Sequence, residues 1–325
     1  MRTTAAEMMG GFMAGVERAH ERIKDGILRT ELEAAPGLGR GRRADVLIKW
    51  ESRQRTGSFK IRGALNKVRS LASRPADEAL VSASTGNHGL AMAEASAQES
   101  RRLVLFLPET VAPHKLSRLR RCPAVIERRG ASSEESEVLA RRWAAETGGL
   151  FVSPYNDPDV IFGQGTIGLE IDAERPDVED VVIPVGGGGL AAGIAGFLKA
   201  VRPGVRIHGV EPEASAFMAA SVRAGRIVEI PERPTAADAV AGGIEPGSIT
   251  FDLCRALIDD WIAVGEDDLR EANVILDSLG RGPVEPAGAL ALAGLRAAPE
   301  RFGSGPVALI VSGGNAAGRT AGDGT

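Results

Sequence analysis

Apolar residues fall along this chain in two alternating rhythms. Val16, Ala19, Ile23 and Ile27 recur at helical spacing and predict a helix over 16–28. Short apolar runs predict strands over 45–50, 79–82, 102–107, 124–127, 181–185, 205–210 and 306–311. Between them, apolar stripes at three- and four-residue spacing predict helices over 58–71, 89–97, 114–121, 133–147 and 190–201. Strands that alternate with helices argue an α/β fold, with a parallel sheet covered on both faces. Boundaries near residues 80 and 155 are expected. No internal repeat or low-complexity segment interrupts the pattern.

Composition narrows this picture. A chain of 325 residues suits one large domain or two closely packed ones. The net charge of −4 and arginines mixed with acids, as in Glu127-Arg128-Arg129, give no basis for nucleic-acid binding. No apolar run approaches the roughly 20 residues that span a bilayer, so no membrane partner is expected. Glu7 breaks the apolar stretch at Met1 to Gly15, which lacks a signal-peptide core. Cys122 and Cys254 have no Cys or His at metal spacing, and a reduced, cytoplasmic setting fits them.

Four segments carry candidate chemistry. The first is Thr56-Gly57-Ser58-Phe59-Lys60. Of the six lysines, the other five have ordinary readings as helix-surface or strand-end charges. Lys60 opens a helix behind a Gly-Ser turn, where the positive helix end depresses an amine pKa, as a Schiff-base lysine requires. Alone, it would still read as a structural helix-start lysine. The second, Ser82-Ala83-Ser84-Thr85-Gly86-Asn87-His88-Gly89, leaves a strand and opens a helix, and its N–H groups suit a carboxylate. Helix capping by its hydroxyls is the other reading, but two hydroxyls, an amide and an imidazole in five consecutive positions weigh against it.

The third segment runs Val181 to Leu190 and contains Gly186-Gly187-Gly188-Gly189 between strand and helix, a phosphate cradle. Four glycines cost entropy and need a reason. The same loop, with Glu211 closing the next strand, also suits a dinucleotide fingerprint and hence a nicotinamide oxidoreductase. The fourth, Ala308 to Asn315, delivers Ser312 into a glycine loop, as a turn residue or as a pocket hydroxyl.

In this order the four segments resemble the serine/threonine dehydratase branch of the fold-type-II pyridoxal-phosphate enzymes, which includes serine racemase. The resemblance covers about residues 20 to 318. It implies two open, mostly parallel twisted sheets flanked by helices, as in the tryptophan synthase β fold. Residues 1–80 and 156–325 would form a large cofactor domain, and 81–155 a small domain with the substrate loop. It also implies that Lys60 binds pyridoxal 5'-phosphate as a Schiff base and that Phe59 packs beside the ring. Asn87 would meet the ring's phenolic oxygen, Gly186 to Gly189 the phosphate and Ser312 the pyridine nitrogen. Ser84, Thr85, Asn87 and His88 would surround the substrate carboxylate. Elimination of water from a β-hydroxy amino acid, to a 2-oxo acid and ammonium, follows, by a cytoplasmic homodimer.

Three departures shape that expectation. Thr85 keeps a hydroxyl but crowds the face of Cα opposite the lysine, which disfavours racemisation more than elimination. Phe217 stands where a second carboxylate of a cation site is expected, so no divalent metal is predicted. The sequence ends soon after Ser312, so no regulatory domain is expected. Racemisation, β-replacement and a silent binding protein remain alternatives. Threonine, serine and 3-hydroxyaspartate all fit as substrate, since no arginine inside the four segments is aimed at a second carboxylate.

Overall fold

The computed structural model describes residues 4–39, 45–231 and 233–316. The first three residues of the N-terminal stretch and the end of the family-like span, past Ala316, lie outside the described residues. Among the described residues, ten strands form two sheets: β1 (Leu32–Ala34), β2 (Val46–Trp50), β3 (Leu80–Ala83), β4 (Leu103–Leu107), β5 (Val125–Arg128), β6 (Leu150–Phe151), β7 (Asp180–Pro184), β8 (Arg206–Pro212), β9 (Asp260–Val264) and β10 (Val307–Val311). The larger sheet has the order β1-β2-β10-β7-β8-β9 and the smaller β5-β4-β3-β6. Every pairing is parallel except β1 with β2. Strands β2, β4, β7 and β10 are buried along their whole length, as parallel strands covered by helices on both faces must be.

Most expected elements appear with shifted ends. The first long helix is Phe12–Ile23, because Phe12 continues the buried stripe of Val16, Ala19 and Ile23 while Ile27 lies in the turn beyond. The helix expected from Gly89 starts at Asn87, with Gly86 as its N-cap. Helix Pro158–Glu174 carries no amphipathic signal, since it is buried on several sides against helices Lys60–Ser70 and Gly189–Val201. Its start is set by Pro158 in the first turn and by the Asp157 carboxylate, which accepts from Asp159 N and Val160 N.

Lys49 is not the strand-end charge that its position suggests. It is fully buried, and its Nζ donates to Glu170 Oε2 at 2.6 Å and to Thr30 O at 2.7 Å. Arg62, also fully buried, donates to Glu51 through Nε and Nη2 at 2.8 Å each. Its Nη1 and Nη2 reach Glu170 at 2.6 and 2.9 Å. Two cations thus meet two carboxylates in a dry interior, tying β2, helix Lys60–Ser70 and helix Pro158–Glu174 together. Removing one partner strands a buried charge, at a cost of about 3–5 kcal/mol. Glu170→Ala is therefore expected to lower unfolding free energy in urea by about that amount. A loss below about 1 kcal/mol, the scale of an exposed pair, would contradict this account of the cluster.

Candidate active site

The parallel order brings the four chemical segments to one place. Val311 pairs with Trp50, and Leu309 with Val182, so β2, β10 and β7 end side by side. The lysine segment, the Ser312 loop and the glycine loop leave these ends as neighbours, at the carboxyl edge where open α/β sheets bind ligands. The substrate loop leaves the corresponding end of β3 in the smaller sheet. Phe59, Lys60, Ser84, Thr85, Asn87, His88, Gly186, Gly187, Gly188, Gly189 and Ser312 all line a single cavity of about 1720 Å³.

The lysine segment is docked by its backbone onto the Ser312 loop. Phe59 N donates to Ser312 O at 3.1 Å, and Gly314 N donates to Gly57 O at 2.8 Å. Gly57 takes φ +73°, and a Cβ there would stand 2.4 Å from Asn315 Oδ1, so a side chain would strain the backbone and displace the Asn315 amide. Lys60 is the first residue of helix Lys60–Ser70. Its Nζ donates to Pro154 O at 2.8 Å and lies 5.1 Å from the centre of the Phe59 ring. It makes no ion pair among the described residues. Burial brings its pKa down to about 8, although the charge of Glu285 works in the opposite direction.

The substrate loop presents the start of helix Asn87–Gln98, whose first N–H groups have no intrahelical partner. Asn87 Nδ2 donates to Glu285 Oε1 at 2.7 Å, and Asn87 Oδ1 accepts from Asn315 Nδ2 at 2.7 Å. One amide hydrogen of Asn87 stays available to a ligand. His88 is 3% exposed, and neither ring nitrogen has a hydrogen-bond partner among the described residues. Burial and the Lys60 charge push its pKa down to about 3, so the ring is neutral. Ser84 and Thr85 lie half-exposed at the cavity wall.

Gly188 caps helix Gly189–Val201 with φ +83°. A Cβ on Gly187 would stand 2.5 Å from the Tyr155 ring, and one on Gly186 would stand 2.9 Å from the Val240 backbone. None of the four glycine N–H groups donates to a protein acceptor among the described residues. The loop is therefore walled closely, with its donors unspent, where an anion would satisfy them. Ser312 is 4% exposed, and its hydroxyl has no hydrogen-bond partner among the described residues.

Glu211 does not serve a dinucleotide. Its buried carboxylate accepts from Met218 N at 2.9 Å and Ala219 N at 2.7 Å, capping helix Phe217–Ala224, and it does not line the cavity. Burial raises its pKa to about 7.

Residues outside the four segments complete the cavity. Glu285, whose pKa burial lifts to about 7, precedes helix Pro286–Ala297 and holds Asn87. Tyr155 walls the glycine loop, and its hydroxyl accepts from Glu245 N at 3.0 Å. Arg118, on helix Pro113–Leu119, donates to Asn315 Oδ1. Each is brought in by tertiary contacts, and local sequence carries no sign of them.

The chain is similar to known proteins over most of its length. The profile of the family described as "Pyridoxal-phosphate dependent enzyme" matches residues 23–313. The L-threonine ammonia-lyase of Thermotoga maritima is 37% identical over 300 residues, 92% of this chain and 74% of that protein. The processed form of threonine deaminase isoform 2 from Solanum lycopersicum superposes with a TM-score of 0.90 at 32% identity, covering 96% of this chain and 91% of that one. Maize serine racemase gives 0.88 at 30% identity, covering 94% and 93%.

The depressed Lys60 amine gives a direct expectation. In the apoprotein, its acylation by an amine-specific reagent should rise with pH and reach half its maximum near pH 8, because the neutral fraction grows through the pKa. Peptide-resolved mass spectrometry reads this site by site. A Lys60 profile matching that of exposed Lys24 would contradict the assigned environment.

Proposed function

The chain belongs to the family of pyridoxal-phosphate dependent enzymes, and on that premise we propose that it is an ammonia-lyase of the dehydratase type. It removes water from a β-hydroxy amino acid of the threonine, serine or 3-hydroxyaspartate kind, giving a 2-oxo acid and ammonium. The observation that carries this reading is Lys60: an amine without an ion pair among the described residues, lowered to about 8, facing a cavity rimmed by unspent backbone N–H groups.

These residues fit the cofactor. The glycine loop offers its N–H groups to a phosphate dianion, with the end of helix Gly189–Val201 adding its positive field. The Ser312 hydroxyl is unspent and borders the lysine segment, so it can meet a ring nitrogen without supplying a counter-charge. Phe59 flanks the amine, and Asn87 keeps a free amide hydrogen. When bound, pyridoxal phosphate supplies an electron sink for the charge that develops at the substrate Cα.

The protein's own groups do the rest. The helix start after Thr85 and Gly86 holds the α-carboxylate through N–H groups, with Ser84, Thr85 and Asn87 beside it and the neutral His88 behind. Lys60, near pH 8 in part an uncharged amine, takes the proton from Cα. The β-hydroxyl leaves with a proton as water, and the enamine that is released hydrolyses to the oxo acid and ammonium. Residues 1–80 and 156–325 act as the cofactor-binding unit, and 81–155 as the smaller unit carrying the substrate loop. The reading places the enzyme in the cytoplasm as a homodimer. Cys122 and Cys254 are free thiols, as a reducing compartment favours, and no described helix is long and apolar enough to cross a membrane.

Thr85 decides between elimination and racemisation. A racemase needs a proton donor on the face opposite the lysine, and a threonine there is stiffer and bulkier than a serine. Misplacing such a donor by about 1 Å costs on the order of 100-fold in rate. With L-serine, L-threonine and the 3-hydroxyaspartate isomers, oxo acid should form at least about 100-fold faster than D-amino acid, and Thr85→Ser should narrow the gap. The check is to measure oxo acid, ammonium and D-amino acid in one incubation. Equal rates of oxo acid and D-amino acid would make the enzyme a racemase.

A further inference from the structure

Besides Lys60, one half-buried cation of the cavity makes no ion pair among the described residues. Arg53 pairs with Glu31 at 3.0 Å, Lys115 with Asp238 at 2.8 Å, and Arg281 with Glu33. Arg55 and Arg121 are exposed to solvent. Arg118 is half-buried at the cavity wall, and its hydrogen-bond partner is a neutral one, the Asn315 side-chain oxygen. Glu285 lies near enough for its charge to act on Arg118, yet the two form no ion pair, and Glu285 gives Oε1 to Asn87.

The position of Arg118 is fixed relative to the substrate loop. Leu119, its neighbour, packs against the start of helix Asn87–Gln98, 3.3 Å from where a Cβ on Gly89 would stand. From Arg118 a chain of hydrogen bonds runs through Asn315 to Asn87 and on to Glu285. An arginine fork half out of water and held by one neutral amide retains N–H donors for a carboxylate, which it binds in two-point fashion.

We propose that Arg118 recognises a second, side-chain carboxylate, so that the substrate is a β-hydroxy amino acid of the 3-hydroxyaspartate class rather than serine or threonine. This rests on the ammonia-lyase reading and narrows it. A methyl or hydrogen at Cβ would leave the guanidinium unanswered. A carboxylate there would neutralise it in a partly dry site, where a charge-assisted pair is strong.

The test compares wild type, Arg118→Ala and Arg118→Lys holoenzymes. Purified 3-hydroxyaspartate isomers and L-serine are the substrates, and the readout is the ratio of their kcat/KM values. The expected result is that Arg118→Ala lowers the ratio on the order of 10- to 100-fold, while Arg118→Lys restores part of it. A ratio unmoved by both substitutions overturns the proposal, because Arg118 would then act on all substrates alike through Asn315. Binding of L-aspartate and L-alanine to the same proteins, measured by calorimetry, needs no turnover. If no β-hydroxy amino acid yields oxo acid, the lyase reading fails, and this second ratio still decides the matter. A selective loss of aspartate affinity in Arg118→Ala supports the proposal, and equal affinities across the variants overturn it.

Discussion

The geometry of this site depends on a charge that has no route to water. Arg62 sits two residues after Lys60 on the same helix, and its guanidinium is gripped by Glu51 on one side and Glu170 on the other. Lys49 completes the balance on Glu170, and the Thr30 hydroxyl donates to Glu51 at 2.6 Å. A buried guanidinium is tolerated only where every donor has an acceptor, so the helix has little freedom to turn or slide. Through that constraint, Lys60 faces the cavity rather than the core.

The parallel sheets supply the second constraint. Chain directions that agree along β2, β10 and β7 place three loops at one edge, although they are separated by more than a hundred residues of sequence. The lysine segment and the Ser312 loop are then joined by backbone hydrogen bonds and a small bridge at Ser58 and Gly313. Asn315 continues the join across the cavity: it donates to Thr56 O at 2.8 Å and to Asn87 Oδ1, and accepts from Arg118. One amide thus ties the loop of the larger sheet to two elements of the smaller one. Glu285 closes the same circuit from the other side.

Much of this is legible in the sequence where the determinant is local. The strands that end at Trp50, Ala83, Pro184 and Val311 show as apolar runs, and the residues that follow each of them carry the candidate chemistry. Residues whose role is set by partners far along the chain are not legible. Lys49 reads as a strand-end charge until Glu170 is brought against it. Glu285, before one helix, and Arg118, within another, look like ordinary charges until Asn87 and Asn315 connect them. Helix Pro158–Glu174 escapes detection for a related reason: a helix buried on several sides has no polar face to set a period. Glu211 shows the converse hazard. Its spacing suits a ribose ligand, while its oxygens are spent on a helix end.

The central claim is that Lys60, held by the Arg62 cluster and docked on the Ser312 loop, is the residue that carries the cofactor. The most direct measurement is reduction of the holoprotein with borohydride, followed by digestion and peptide mapping of the pyridoxyl group. The account predicts the label on Lys60, in stoichiometric amount, and its loss from the protein in Lys60→Ala. A label on Lys49, Lys67 or any other lysine, or a Lys60→Ala protein labelled as fully as the wild type, would contradict it.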